Sequence, residues 1–105
     1  MIIVNCKREL KKLINQRIKE QGLKCDLNDI DVSRVEDMSF LFYGSKFNGD
    51  ISRWDVSNVK NMNSMFMGSK FSGDISKWNT SSVMSMDYMF LGSPLDGNEP
   101  DWYDF

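Results

Sequence analysis

The apolar residues of this chain recur at a fixed interval. Phe47, Ile51, Trp54, Val59, Met62 and Phe66 are matched without a gap by Phe71, Ile75, Trp78, Val83, Met86 and Phe90, each 24 residues on. The same step backwards places Leu23, Leu27 and Ile30 under Phe47, Ile51 and Trp54, and Val35, Met38, Leu41 and Phe42 under Val59, Met62, Met65 and Phe66. Forwards, Leu95 falls over Phe71 and Trp102 over Trp78. A fixed period in this range marks a stacked-repeat protein, in which one copy cannot bury its own apolar face.

The spacing divides the chain into an N-terminal arm and basic amphipathic capping helix (1–22), three repeats (23–46, 47–70 and 71–94) and a truncated fourth repeat serving as a C-terminal cap (95–105). Leu10, Leu13, Ile14 and Ile18 lie at helical spacing, with Asn5 as the expected N-cap and Gly22 as the stop. Within each repeat, GDISRWDVS reads as a strand that turns a corner near Ser52–Arg53. Val59, Met62, Met65 and Phe66 then predict a short helix, capped by Ser57 and, in the other copies, by Ser33 and Ser81. The FNGD segment is expected to turn into the next copy, with its glycine free to take positive φ.

Charge is unevenly distributed. Residues 1–24 carry seven Lys/Arg against two Glu, a balance of +5, whereas residues 25–105 carry six basic groups against thirteen acidic ones, a balance of −7. There is no histidine, so the commonest general base and zinc ligand is missing. Cys6 and Cys25 stand in no metal or redox spacing. No catalytic residue, cofactor site or metal site is expected, and an enzyme is not. The column Asp26–Asp50–Asp74 would repel itself unless each carboxylate has a local partner. Backbone N–H groups in the adjoining turn are the expected partners, with a calcium ladder as the alternative. No secretory signal and no stretch of transmembrane length is seen, which reads as a cytoplasmic protein, in the host cytoplasm if phage-encoded.

The string W-D-V-S-N-V-x-N-M-x-x-M-F at Trp54–Phe66, preceded by F-N-G-D-I-S at Phe47–Ser52, resembles the BspA-like leucine-rich-repeat family. Trp78–Phe90 repeats it with Asn79–Thr80 in place of Asp–Val, and the likeness spans residues 23–94. The lysine-rich leading helix and the closing PDWY resemble small, leaderless bacterial or phage members. The resemblance implies an interaction module with no shared catalytic residues. It sets the expected fold as α+β: a short right-handed leucine-rich-repeat-like solenoid of three 24-residue repeats with an N-terminal capping helix.

Some apolar residues are left over once the core face is assigned. Phe40, Tyr43, Met67, Met84, Tyr88 and Leu91 would form an aromatic and Met-rich stripe, a composition favoured at interface cores, or else a wider buried face. A weaker candidate is the acidic end formed by Asp96, Glu99, Asp101 and Asp104. The expected function is a non-enzymatic protein-protein interaction module. Its sharper form is a small inhibitor of a host or defence enzyme, encoded by a phage or mobile element. The partner is expected to be a protein, and a homo-dimer through the open solenoid edge stays open. The alternatives are a nucleic-acid binder using the basic helix, which the −7 body opposes, and a fragment-like relative of surface adhesins.

Overall fold

In the computed structural model, which describes residues 1–103, Ile2–Ile3 forms a short strand (β1) and Lys7–Gln21 a 15-residue helix (α1). A second strand (β2), Ile30–Asp31, pairs with β1 in parallel, Ile2 against Ile30 and Ile3 against Asp31. Helix α1 turns Leu10 and Ile14 fully inwards, with Leu13 and Ile18 at the margin. It ends at Gly22, whose φ of 94° needs no Cβ and whose N–H closes on the Ile18 carbonyl at 2.8 Å. Its N-cap is Cys6, not Asn5. The Asn5 backbone N–H, one residue before the cap, instead donates to Glu9 Oε1 at 2.7 Å, so the first-turn carboxylate ties the arm to the helix.

The expected leucine-rich-repeat-like solenoid of three repeats is not what forms. Regular structure among the described residues is confined to α1 and the two-stranded sheet, in a body of 36 × 25 × 21 Å. Neither a strand at GDISRWDVS nor a helix at Val59–Phe66 is present. Short side chains explain the lost helix. Asp55 Oδ1 accepts the N–H of Ser57, Asn61 Oδ1 that of Asn63, and Asp37 Oδ1 that of Ser39. Each such bond holds the backbone in a local turn that competes with the helical ladder. Ser33, Ser57 and Ser81 are therefore not helix caps; their N–H groups donate to Asp31, Asp55 and Asn79.

The 24-residue interval survives as pairwise contacts between turns. Trp78 stacks between Trp54 and Trp102, at centroid distances of 6.4 and 6.2 Å. Phe66 lies between Phe42 and Phe90 at 5.5 and 5.6 Å, with rings nearly parallel. The indole N–H groups of Trp54, Trp78 and Trp102 donate to the carbonyls of Leu27, Ile51 and Ile75 at 2.8–3.0 Å. These rings share a core with the inward residues of α1.

Along residues 38–44, 62–68 and 85–91 the backbone bonds between turns run one way, whereas others, as at Lys60 N–H to the Glu36 carbonyl, run the other way. Met38, Phe40, Phe42 and Gly44 donate to the carbonyls of Asn61, Asn63, Met65 and Met67 at 2.8–3.0 Å. Met62, Ser64, Phe66 and Gly68 do the same to Ser85, Asp87, Met89 and Leu91 at 2.8–2.9 Å. The intervening amides fold back locally, Leu41 N–H to Met38 and Tyr43 N–H to Phe40. The glycines of FNGD serve this packing differently from expectation. Positive φ occurs at Gly44, Gly68 and Gly92 but not at Gly49 or Gly73. At Gly49 a Cβ would collide with the Cys25 carbonyl oxygen and come within 2.7 Å of the Phe47 ring, so the requirement is close approach.

Candidate functional site

Five of the six stripe residues are exposed: Phe40, Tyr43, Met84, Tyr88 and Leu91. Met67 is half-buried. The structure divides them into patches. Phe40 and Tyr43 touch, with ring centroids 5.6 Å apart. Tyr88 and Leu91 are joined by the Leu91 N–H donating to the Tyr88 carbonyl at 3.3 Å. Between the patches lies Ser64, which holds the position equivalent to Phe40 and Tyr88 and is buried. Met84 stands apart, 84% exposed, its N–H bonded to the Lys60 carbonyl.

Phe40, Ser64 and Tyr88 share a left-handed backbone, with φ of 60°, 55° and 57°. That region disfavours bulky side chains, and two aromatics occupy it with their side chains outside the core. The turn reverses at Phe40, whose side chain stays exposed while Met38, Leu41 and Phe42 on either side go fully inwards. The left-handed position is a backbone property that the hydrophobic spacing did not reveal.

The two patches border clefts of opposite charge. Phe40 lies beside Lys7, Arg8, Lys11 and Lys12 in a cleft of about 530 Å³. Tyr88 and Leu91 line another, of about 640 Å³, with Asp87, Phe90, Asp96, Glu99 and Tyr103. Asp96 and Glu99 of the predicted acidic end are thereby brought against the stripe. Asp101 is exposed and does not line the cleft, and Asp104 lies outside the described residues. Asp96 Oδ2 accepts the Gly92 N–H at 3.0 Å, and Glu99 Oε2 that of Gly97 at 2.8 Å. Tyr103 packs edge-on against Phe90 at 4.9 Å, and burial pushes its phenol above the usual range.

Much of the basic helix is spent within the chain. Lys7 Nζ donates to the Ser39 carbonyl at 3.0 Å and to the Ser39 hydroxyl at 2.9 Å. Lys11 Nζ donates to the Leu41 carbonyl at 2.7 Å and lies 5.9 Å from the Phe42 ring centroid. Burial draws its pKa down. Arg17 grips Asp29 with two bonds of 2.8 and 2.6 Å, which holds that carboxyl below its usual range. These contacts were not legible in the sequence, although Lys7 and Lys11 at helical i, i+4 spacing were the available signal.

The aspartate column is satisfied locally. Asp26, Asp50 and Asp74 accept the N–H groups of Asn28, Ser52 and Ser76 at 2.8–2.9 Å. Bonds from the Ser52 side chain, then Asn28, then the Ser52 backbone, lower Asp50 to about 2. Among the described residues, no group of three or more His, Cys, Asp or Glu is placed to hold a metal ion, and no helix is long and apolar enough to cross a membrane. Cys6 and Cys25 are free thiols, exposed and buried respectively.

No curated protein and no solved structure matches the chain. A family model described as "Mycoplasma protein of unknown function, DUF285" matches residues 9–102, and the chain belongs to that family.

Proposed function

We propose that this chain is a non-enzymatic protein-binding module that engages its partner through the exposed aromatic patches at Phe40–Tyr43 and Tyr88–Leu91. One observation carries the reading: two aromatic residues stand exposed on left-handed backbone, at a position where Ser64 makes the same turn. The turn does not require an aromatic ring there, and the ring adds backbone strain without filling the core. Strain kept at an exposed aromatic is a reason to look for function at that residue. Paired exposed aromatics are also the composition of binding hot spots. Kinship to BspA-like repeat proteins belongs to the same proposal and rests on the Phe47–Ser52 and Trp54–Phe66 strings. In its sharper form the partner is a host or defence enzyme and the chain its inhibitor.

The test uses residues that suit left-handed backbone. The variant Phe40→Asn, Tyr43→Ser, Tyr88→Asn removes the rings while Asn accepts positive φ. Wild type and variant are immobilised and exposed to host extract, and bound proteins are identified by mass spectrometry. The expected result is one stoichiometric partner retained by wild type and lost by a variant of unchanged urea midpoint. A partner held equally by both would overturn the reading. Addition of the chain to the captured partner's own assay then tests inhibition.

A further inference from the structure

The one-way backbone ladder has two chemically different edges. The carbonyl of Asn61 and the N–H of Met62 belong to one trans peptide and point in opposite directions. The same holds at Asn63–Ser64, Met65–Phe66 and Met67–Gly68, so the linking peptides direct carbonyls towards residues 38–44 and N–H groups towards residues 85–91. One edge of the ladder therefore presents acceptors and the other donors. The acceptor edge is covered at Ser39 and Leu41 by the Lys7 and Lys11 ammonium groups. The donor edge is covered at Gly92 by Asp96. Among the described residues, the N–H groups of Met86, Tyr88 and Phe90, equivalent to the donors at Met62, Ser64 and Phe66, have no acceptor.

We infer that this open donor edge binds an extended segment of a partner protein that carries Lys or Arg side chains. An extended chain presents a carbonyl and an N–H from every second residue on one side; the carbonyls match the spacing of Met86, Tyr88 and Phe90, and the N–H groups on that side are left to water. Addition of a strand to an open edge is a recurring mode of peptide recognition. The surroundings select the charge. No Lys or Arg occurs from Trp78 to Tyr103, and Asp87, Asp96 and Glu99 line the cleft beside the edge. They favour a cationic segment and oppose an acidic one or a nucleic acid. A second copy of this chain does not fit: two donor edges have no acceptors for each other, and two carbonyls of the acceptor edge are held by Lys7 and Lys11. The inference does not rest on the aromatic patches as the binding surface, since the edge binds through backbone groups.

The experiment is amide hydrogen exchange by NMR on the full chain, with and without an acetylated, amidated hexapeptide of alternating Lys and Val. Without peptide, the amides of Met86, Tyr88 and Phe90 are expected to exchange at least ~10-fold faster than those of Met62, Ser64 and Phe66. Saturating peptide slows the three amides to the rate of their equivalents, and the Glu–Val analogue does not. The double variant Asp87→Asn, Glu99→Gln weakens the peptide about 5-fold or more at low salt, with an unchanged urea midpoint. Four outcomes overturn the inference. The amides are protected before peptide is added; protection rises with protein concentration alone, which assigns the edge to a second copy; the Glu and Lys peptides act alike; or the Lys peptide perturbs only Phe40 and Tyr43.

Discussion

Gly49 and Gly73 occupy equivalent places in the repeated GDIS segment, yet alanine should cost far more at the first. Neither glycine has positive φ, so alanine is conformationally admissible at both. Both would also push a Cβ to 2.7 Å from a phenylalanine ring, Phe47 or Phe71. The two rings are buried and stacked on each other at 6.2 Å, so neither moves freely. This shared overpacking costs about 1–3 kcal/mol. The reduced freedom of the unfolded chain returns about 0.4–1 kcal/mol in both variants. Only at Gly49 does the new methyl also strike backbone, at the Cys25 carbonyl oxygen; the matching Gly49 oxygen clears the Cβ of residue 73 by 3.4 Å. The Cys25 carbonyl accepts the Asp50 N–H at 3.1 Å, within the Asp26–Asp50 bridge, and the collision opens that bond. Loss of a backbone bond with its partners left unsatisfied adds about 1–3 kcal/mol. Gly49→Ala should therefore lie about 2 kcal/mol below Gly73→Ala. Urea unfolding followed by tryptophan fluorescence reads this difference. Equal losses, or a larger loss at Gly73, would refute the close-approach account of this glycine.

Three further outcomes follow from the geometry. Trp78→Ala should cost ~3–5 kcal/mol, because a stacked indole 5% exposed is lost together with its bond to the Ile51 carbonyl; a loss under about 1 kcal/mol in denaturant would remove Trp78 from the core. Lys11→Met should cost about 1.5–3 kcal/mol by uncapping the Leu41 carbonyl, whereas the exposed Lys12→Met should stay within about 0.5 kcal/mol, and similar urea midpoints for the two variants would sink the capping role. Asp50 is held at about 2 in the folded chain, below the unfolded value of about 3.9, so its contribution is full above that unfolded value and disappears as pH falls through about 2. Since Asp50 is exposed, solvent screening trims the effect. Between pH 5 and 2.5 the urea midpoint of wild type should fall further than that of Asp50→Asn; parallel falls would assign the acid sensitivity to other groups.

The legible part of the fold was its side-chain register. Identical rings 24 residues apart, Trp54 with Trp78 and Phe66 with Phe90, meet face to face because like shapes stack without gaps. Backbone conformation was less legible. Val59, Met62, Met65 and Phe66 fit a helix, but the same spacing also fits successive turns whose alternate amides reach across to the next turn. The discriminating signal was present: Asp55, Asn61 and Asp37 each stand two residues before a turn amide that they accept. Repeated Asp and Asn favour turns over helix interiors. Alignment with Tyr43 and Leu91 places Met67 in the stripe, yet it is half-buried, because register alone does not fix how far a side chain is covered by neighbouring turns. Left-handed φ at Phe40 and Tyr88 had no signal at all, since aromatics are not the residues that announce it.

The ladder also gives the charge asymmetry a structural cause. On charge balance alone, a basic first quarter and an acidic remainder suggest solubility and attraction between the two parts, without saying where they meet. The linking peptides align their dipoles, with carbonyls towards Met38–Gly44 and N–H groups towards Ser85–Leu91. Aligned peptides leave partial negative charge at the carbonyl edge and partial positive charge at the amide edge, as in a helix. Lys7 and Lys11 stand at the first edge, and Asp87, Asp96 and Glu99 stand at the second. Each sign of side-chain charge thus meets the opposite sign of backbone charge. The match is tight at the lysine end, where two ammonium groups bond carbonyls directly, and looser at the acidic end, where among the described residues only Asp96 reaches an edge amide. The segment proposed for the donor edge brings both carbonyls and positive side chains, the complement of matched acidic charge and of amides that have no acceptor among the described residues, while α1 caps the opposite edge.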